Sequence, residues 1–105
     1  MAFDVFLTDE ALADIADLHE YLATYDPHVA NRIVGELERV IRQDIAENPK
    51  AYTWFYIVGA PLRARLFRIS RRTQYWVIYD IDADRNRVNI VRIWNASRNP
   101  FTFEI

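Results

Sequence analysis

The amino-acid sequence predicts an α+β fold in the order β-α-α-β-β-β, with an antiparallel helical hairpin packed on a curved, mainly antiparallel sheet. Three observations predict it. Apolar residues recur at helical spacing in two stretches that one Asp26-Pro27 break separates. Three later segments, LRARLFRI, QYWVIYDID and RVNIVRIWN, are joined by the short polar connections SRRT and DADRN. The opening AFDVFL alternates, with Phe3, Val5 and Leu7 on one face and Asp4 and Phe6 on the other.

The first helix starts where Thr8 can cap and Asp9 and Glu10 meet the positive helix end. Ala11, Ile15, Leu18 and Leu22 form its apolar face, which runs to about Tyr25. Asp26 caps the second helix, and Pro27 fits its first turn because its missing N–H has no helical partner there. Ala30, Ile33, Leu37, Val40/Ile41 and Ile45 make its stripe, and Glu38 precedes Arg42 at the favourable i,i+4 spacing. Asn48-Pro49 ends it, since proline disfavours helical geometry in the preceding residue. Two amphipathic helices with one tight break make an antiparallel hairpin.

The stretch AYTWFYIVGAP, bracketed by Gly59 and Pro61, reads either as a short strand or as a loop plugged into the core. Trp54, Phe55 and Tyr56 are expected in the core, as large aromatics in runs usually are, with a partner contact as the alternative. From Leu62 onward the two short connections imply a three-stranded antiparallel meander. Tyr75, Val77, Tyr79 and Ile81 share a face and Trp76 and Ile78 lie opposite, so both sheet faces are covered or used. The helical hairpin takes one of them.

Residues 1–105 are read as a single domain, with 51% apolar and 14% aromatic residues to build its core. With no cysteine, disulfides and thiolate metal sites are excluded, and a reducing cytoplasm fits. The N-terminus has no basic start and no unbroken apolar core, so no signal peptide is expected, and no apolar run is long enough to span a bilayer. The net charge of -2 hides a split: residues 1–47 carry -8 and residues 48–105 carry +6. Twelve of the thirteen basic residues are arginine, whose rigid fork suits phosphate and carboxylate. Some of these arginines are expected to pair with acids across sheet and helices; the surplus points to an interaction surface.

Chemistry of other kinds finds little support. Gly35 and Gly59 are the two glycines, so there is no phosphate loop. His19 and His28 lack zinc-site spacing; His19 is read as a boundary residue of the first helix and His28 as solvent-facing. Asp80, Asp82 and Asp84 alternate at a turn without the glycine and terminal glutamate of a calcium loop. No metal and no cofactor are expected. What remains is arginine on strands. Arg63 and Arg65 share a face, Arg68 points the other way, Arg71 and Arg72 sit on the first meander turn, and Arg87 and Arg92 lie on the last strand. Gathered on one concave face, they would attract an RNA backbone or an acidic protein segment. VRIWNASRN then closes the last strand with Asn95, Ser97 and Arg98. These form either a recognition surface or a strand exit at which Asn95 and Asn99 satisfy backbone groups.

The order of elements, ADIADLHEYLATYDP, the helix ending in ENP, YWVIYDID and VRIWNASRN together resemble the RelE/ParE superfamily of type II toxin–antitoxin toxins, across nearly the whole chain. The resemblance implies a growth-arresting toxin, often called a plasmid-stabilisation protein, neutralised by a cognate antitoxin. The RelE-like branch cuts mRNA on the ribosome with arginines and a proton-transferring His, Tyr or Glu; the ParE-like branch inhibits DNA gyrase without chemistry of its own. Arg65 and Arg98 match family arginines. The usual His position holds Asn95, and the late Tyr has Phe101 or Phe103 as its counterpart. Asn and Phe exchange no proton near pH 7, which favours the ParE side. The site expected to bind target or antitoxin is Arg63, Arg65, Arg68, Arg92, Asn95, Ser97 and Arg98. Three functions stay open: a gyrase-binding toxin, a ribosome-dependent endoribonuclease, and an inactive member that only complexes its antitoxin and regulates their operon.

Overall fold

The computed structural model describes residues 2–57 and 60–98. The elements are β1 (Asp4–Leu7), α1 (Asp9–Ala23), α2 (Pro27–Arg39), β2 (Thr53–Ile57), β3 (Ala60–Arg68), β4 (Gln74–Asp82) and β5 (Arg87–Asn95). The sheet has five strands in the order β1-β5-β4-β3-β2. The meander is antiparallel throughout, and β1 joins it in parallel beside β5. The ambiguous aromatic segment is a strand, β2, paired antiparallel with β3.

Thr8 explains how β1 gives way to α1. Its N–H donates to Ile90 O and its hydroxyl to Val91 O, which extends the ladder by one residue. The same hydroxyl accepts from Ala11 N and so caps the helix. Asp26 caps α2 through His28 N, with Pro27 in the first turn, and His19 on α1 hydrogen-bonds Asn31 on α2 at 2.8 Å. His28 is exposed.

Beyond Arg39 the second helix widens into a π-helical turn, Val40–Ile45. A wider turn changes which residues face inward, and here the neighbours Val40 and Ile41 are both buried, as is Ile45. One face of the sheet takes the hairpin. Its core joins Ala11, Leu18, Ile33 and Leu37 of the helices to Phe67, Val77, Tyr79, Val88, Ile90 and Ile93 of the strands. Tyr79 is fully buried, and its hydroxyl donates to Pro49 O. The opposite face carries a second cluster of Leu62, Ala64, Ile78, Val91 and Trp94, with Phe55 and Trp76 against it.

The aromatic run expected in the core divides. Phe55 packs on the second cluster, while Trp54 and Tyr56 stay 50% and 73% exposed. An edge strand has a neighbour on one side only, so rings on its face keep contact with water. No helix among the described residues is long and apolar enough to cross a membrane.

Candidate anion-binding site

The seven expected site residues do not share a face. Arg63 and Arg65 lie on the helix side of β3, as alternation requires, opposite Tyr79 and Val77 in the ladder. Arg63 donates to Lys50 O and Tyr52 O and lies 3.9 Å from the Trp54 ring centroid. Arg65 reaches the π-helical turn, where it pairs with Asp44 at 2.7 Å. Arg68 is exposed beside Arg39 in a shallow depression that Glu36 and Arg65 also line.

Arg92 has a structural post. β1 ends at Leu7, opposite Ile90, so the rest of β5 has no strand on that side. Asp14 of α1 takes the vacant place. Its carboxylate accepts from Ile93 N at 2.9 Å and from the Arg92 guanidinium at 2.7 and 3.0 Å, a bidentate, charge-assisted pairing. A bulge where Ile78 and Tyr79 face β5 leaves Val91 without a ladder partner, so that Arg92 pairs with Ile78 while Ile90 pairs with Tyr79.

The other three residues do come together. Asn95 Oδ1 accepts from Ser97 N at 2.9 Å and Ser97 Oγ at 2.8 Å, and Arg98 N donates to Asn95 O at 3.0 Å. Asn95 therefore ties the strand exit into a turn, and the turn presents Ser97 and Arg98 to a cleft of about 440 Å³. Asn99, Phe101 and Phe103 lie outside the described residues. The cleft is built by four parts of the chain. Helix α1 brings Asp17 and Tyr21, the β3–β4 turn brings Arg72 and Thr73, β4 brings Tyr75, and the end of β5 brings the Asn95 turn. Tyr75 sits beside Asn95 because the two are ladder partners.

Arg72 and Arg98 are exposed, and neither is in an ion pair among the described residues. Burial raises the Tyr75 phenol above its ordinary value, with a contribution from Tyr21; Arg98 and a hydrogen bond from Asn95 pull it back in part. The phenol is therefore protonated near neutrality and can donate a hydrogen bond. Two guanidinium forks, a phenol and the Thr73 hydroxyl suit a phosphate or carboxylate ligand. Among the described residues the lining holds no histidine, and its carboxylates are Asp14 and Asp17.

The sequence puts Arg72 on a turn and Tyr75 on a strand but marks neither as a site residue. The signal was the pairing of β4 with β5, which needs the bulge to be known before Tyr75 falls opposite Asn95.

A two-helix hairpin on a five-stranded sheet, with arginines lining a cleft at the exit of the last strand, is the architecture that the resemblance to the RelE/ParE superfamily of toxins implies. The model of the ParE toxin of the type II toxin–antitoxin system parDE matches residues 5–100, and the chain belongs to that family. Among solved structures it is similar to the toxin–antitoxin complex RelBE2 from Mycobacterium tuberculosis, with a TM-score of 0.65 at 20% identity over 93% of this chain and 95% of that one. It is equally similar to the chromosomal ParDE toxin–antitoxin system from P. aeruginosa, with a TM-score of 0.65 at 18% identity over 90% of this chain and 96% of that one. Comparison with curated protein sequences gives no match.

Proposed function

We propose that this toxin arrests growth in the cytoplasm by binding, that its target is DNA gyrase, and that a cognate antitoxin neutralises it. The observation that carries the reading is the cleft itself: Arg72, Arg98 and a protonated Tyr75 line it, the two arginines are in no ion pair among the described residues, and no histidine is among its described lining residues. Such a site grips an anionic or acidic surface and does no chemistry on it. Membership of the ParE toxin family supports gyrase over the ribosome. The antitoxin partner is supported by the two solved relatives, both toxin–antitoxin systems. Residues 1–47 carry -8 and residues 48–105 carry +6, so an acidic antitoxin segment is drawn to the strand-rich half.

The test is plasmid supercoiling by purified gyrase. Stoichiometric toxin is expected to stop supercoiling, and prior addition of antitoxin to restore it. Supercoiling unaffected by a tenfold excess of folded toxin (about one order of magnitude, in line with the differences that decide affinity) would sink the proposal.

One observation favours a second reading. The cleft sets the Tyr75 phenol with Arg98 and Ser97, groups that ribosome-dependent cleavage of mRNA can use. Codon-positioned cuts in cellular mRNA after induction, with supercoiling unchanged, would establish that reading in place of the first.

A further inference from the structure

The exposed rings of β2 belong to no part of the cleft. Trp54 and Tyr56 lie two residues apart on one face of the edge strand, stacked with centroids 5.9 Å apart and planes 27° apart. Across the ladder from Trp54 stands Arg63, its guanidinium 3.9 Å from the ring centroid. Two backbone carbonyls, Lys50 O and Tyr52 O, hold that guanidinium in place. The result is a column of cation, indole and phenol whose last ring, Tyr56, is 73% exposed. Lys50 and Arg63 border a depression of about 250 Å³ beside Trp54, with Asp80 the one carboxylate on its rim.

Rings at this degree of exposure are apolar surface left in water, and the arginine brace keeps them flat and in register. A flat π-surface extends its stack with any aromatic of either sequence or shape, and a nucleobase offers such a face at every residue. The cations beside the column suit the phosphates that link successive bases. An extended peptide added to the free edge of β2 would pair with its backbone and would not need the rings to be stacked or the cations to be near them. We propose that Tyr56, Trp54, Arg63 and Lys50 form a stacking platform for unpaired bases of a single-stranded nucleic acid. The platform stands apart from the cleft and holds whether the toxin's target is gyrase or the ribosome.

Titration of the full-length protein with a twelve-nucleotide oligo-dT, an oligo-U and a blunt DNA duplex, each of length about 12 on the scale of known single-strand sites, tests this. The single strands are expected to quench tryptophan fluorescence with an affinity that falls as salt rises. Comparing oligo-dT with oligo-U assigns the preference between DNA and RNA. Tyr56→Ala is expected to weaken binding about tenfold. Trp54→Phe, which keeps a stacking ring, is expected to abolish most of the quench while competition binding stays within about threefold of the parent. Tyr25→Ala removes a ring that is 76% exposed, from the end of the helical hairpin, and is expected to leave the affinity unchanged. Three outcomes overturn the proposal: no binding at low salt, duplex binding as tight as single-strand binding, or a dimer in sedimentation that Tyr56→Ala dissociates, which would assign the rings to a second copy of the chain.

Discussion

Asp14 forms a wall of the cleft and also holds Arg92, so arginines in two different states stand close together. The side chains of Arg92 and Asp14 are only 19% and 15% exposed, and their ion pair closes the free edge of β5. Arg72 and Arg98 are solvated and pair with nothing among the described residues. The difference teaches that arginine count alone does not locate a binding surface. A guanidinium held in a low-dielectric setting by a bidentate carboxylate is a structural joint; one left in water beside a phenol is available to a partner.

The sharpest way to break this comparison is Asp14→Ala. Arg92 would lose the Asp14 carboxylate and Ile93 N–H its acceptor, so stability is expected to fall by about 3 kcal/mol. Urea unfolding at unchanged m-value measures it. A loss below about 1 kcal/mol would place Arg92 among the ordinary surface ion pairs and erase the distinction.

The converse change is Arg72→Ala with Arg98→Ala. Stability is expected to stay within about 0.5 kcal/mol, as for surface positions generally. Gyrase inhibition is expected to weaken by about tenfold or more, the scale of losing one charge-assisted hydrogen bond. Unchanged inhibition would remove the cleft from the mechanism.

The smallest effect is sought in the pH dependence of stability, and it separates the buried phenol from the cleft phenol. Burial holds the Tyr79 phenol far above its ordinary value, with Arg63 opposing in part. A phenol with a raised folded value keeps its proton better when folded. Its contribution is complete below the unfolded value of about 10 and is lost as pH rises from there toward the folded value. Stability is therefore expected to be flat from neutral pH to about 10 and to decline above it. Tyr79→Phe is expected to remove most of that decline, at the cost of leaving Pro49 O without its donor. Urea midpoints measured from pH 8 to 11, a range about the ordinary tyrosine value, would show a parallel decline in the variant if burial of Tyr79 were not the cause.

Much of the architecture could be read in advance because it is local. Thr8 and Asp26 cap the helices by reaching backbone two or three residues away. The stripe Ala30, Ile33, Leu37 is buried as its spacing requires, and the two short connections do join antiparallel strands. The site was legible only in part. Asn95, Ser97 and Arg98 were named together and do line one cleft, because a single turn holds them. Arg63 and Arg65 share one side of β3, as alternation reads, while Asp44 takes Arg65 and Asp14 takes Arg92. Trp54 and Tyr56 read as core because an aromatic run carries no mark of being on an edge strand.

Alternation, caps and breaks settle what each segment becomes, since those forces act over a few residues of chain. Which carboxylate meets which guanidinium was decided only by the assembled molecule: Asp14 lies 78 positions from Arg92, and Asp44 lies 21 from Arg65. The pairing of Arg92 with Ile78 was likewise decided by the bulge in β5, and the neighbour Asp14 provides exists only because β1 stops at Leu7. Charges pair through space, and the distances that set their energy appear only once the sheet and the helices have packed.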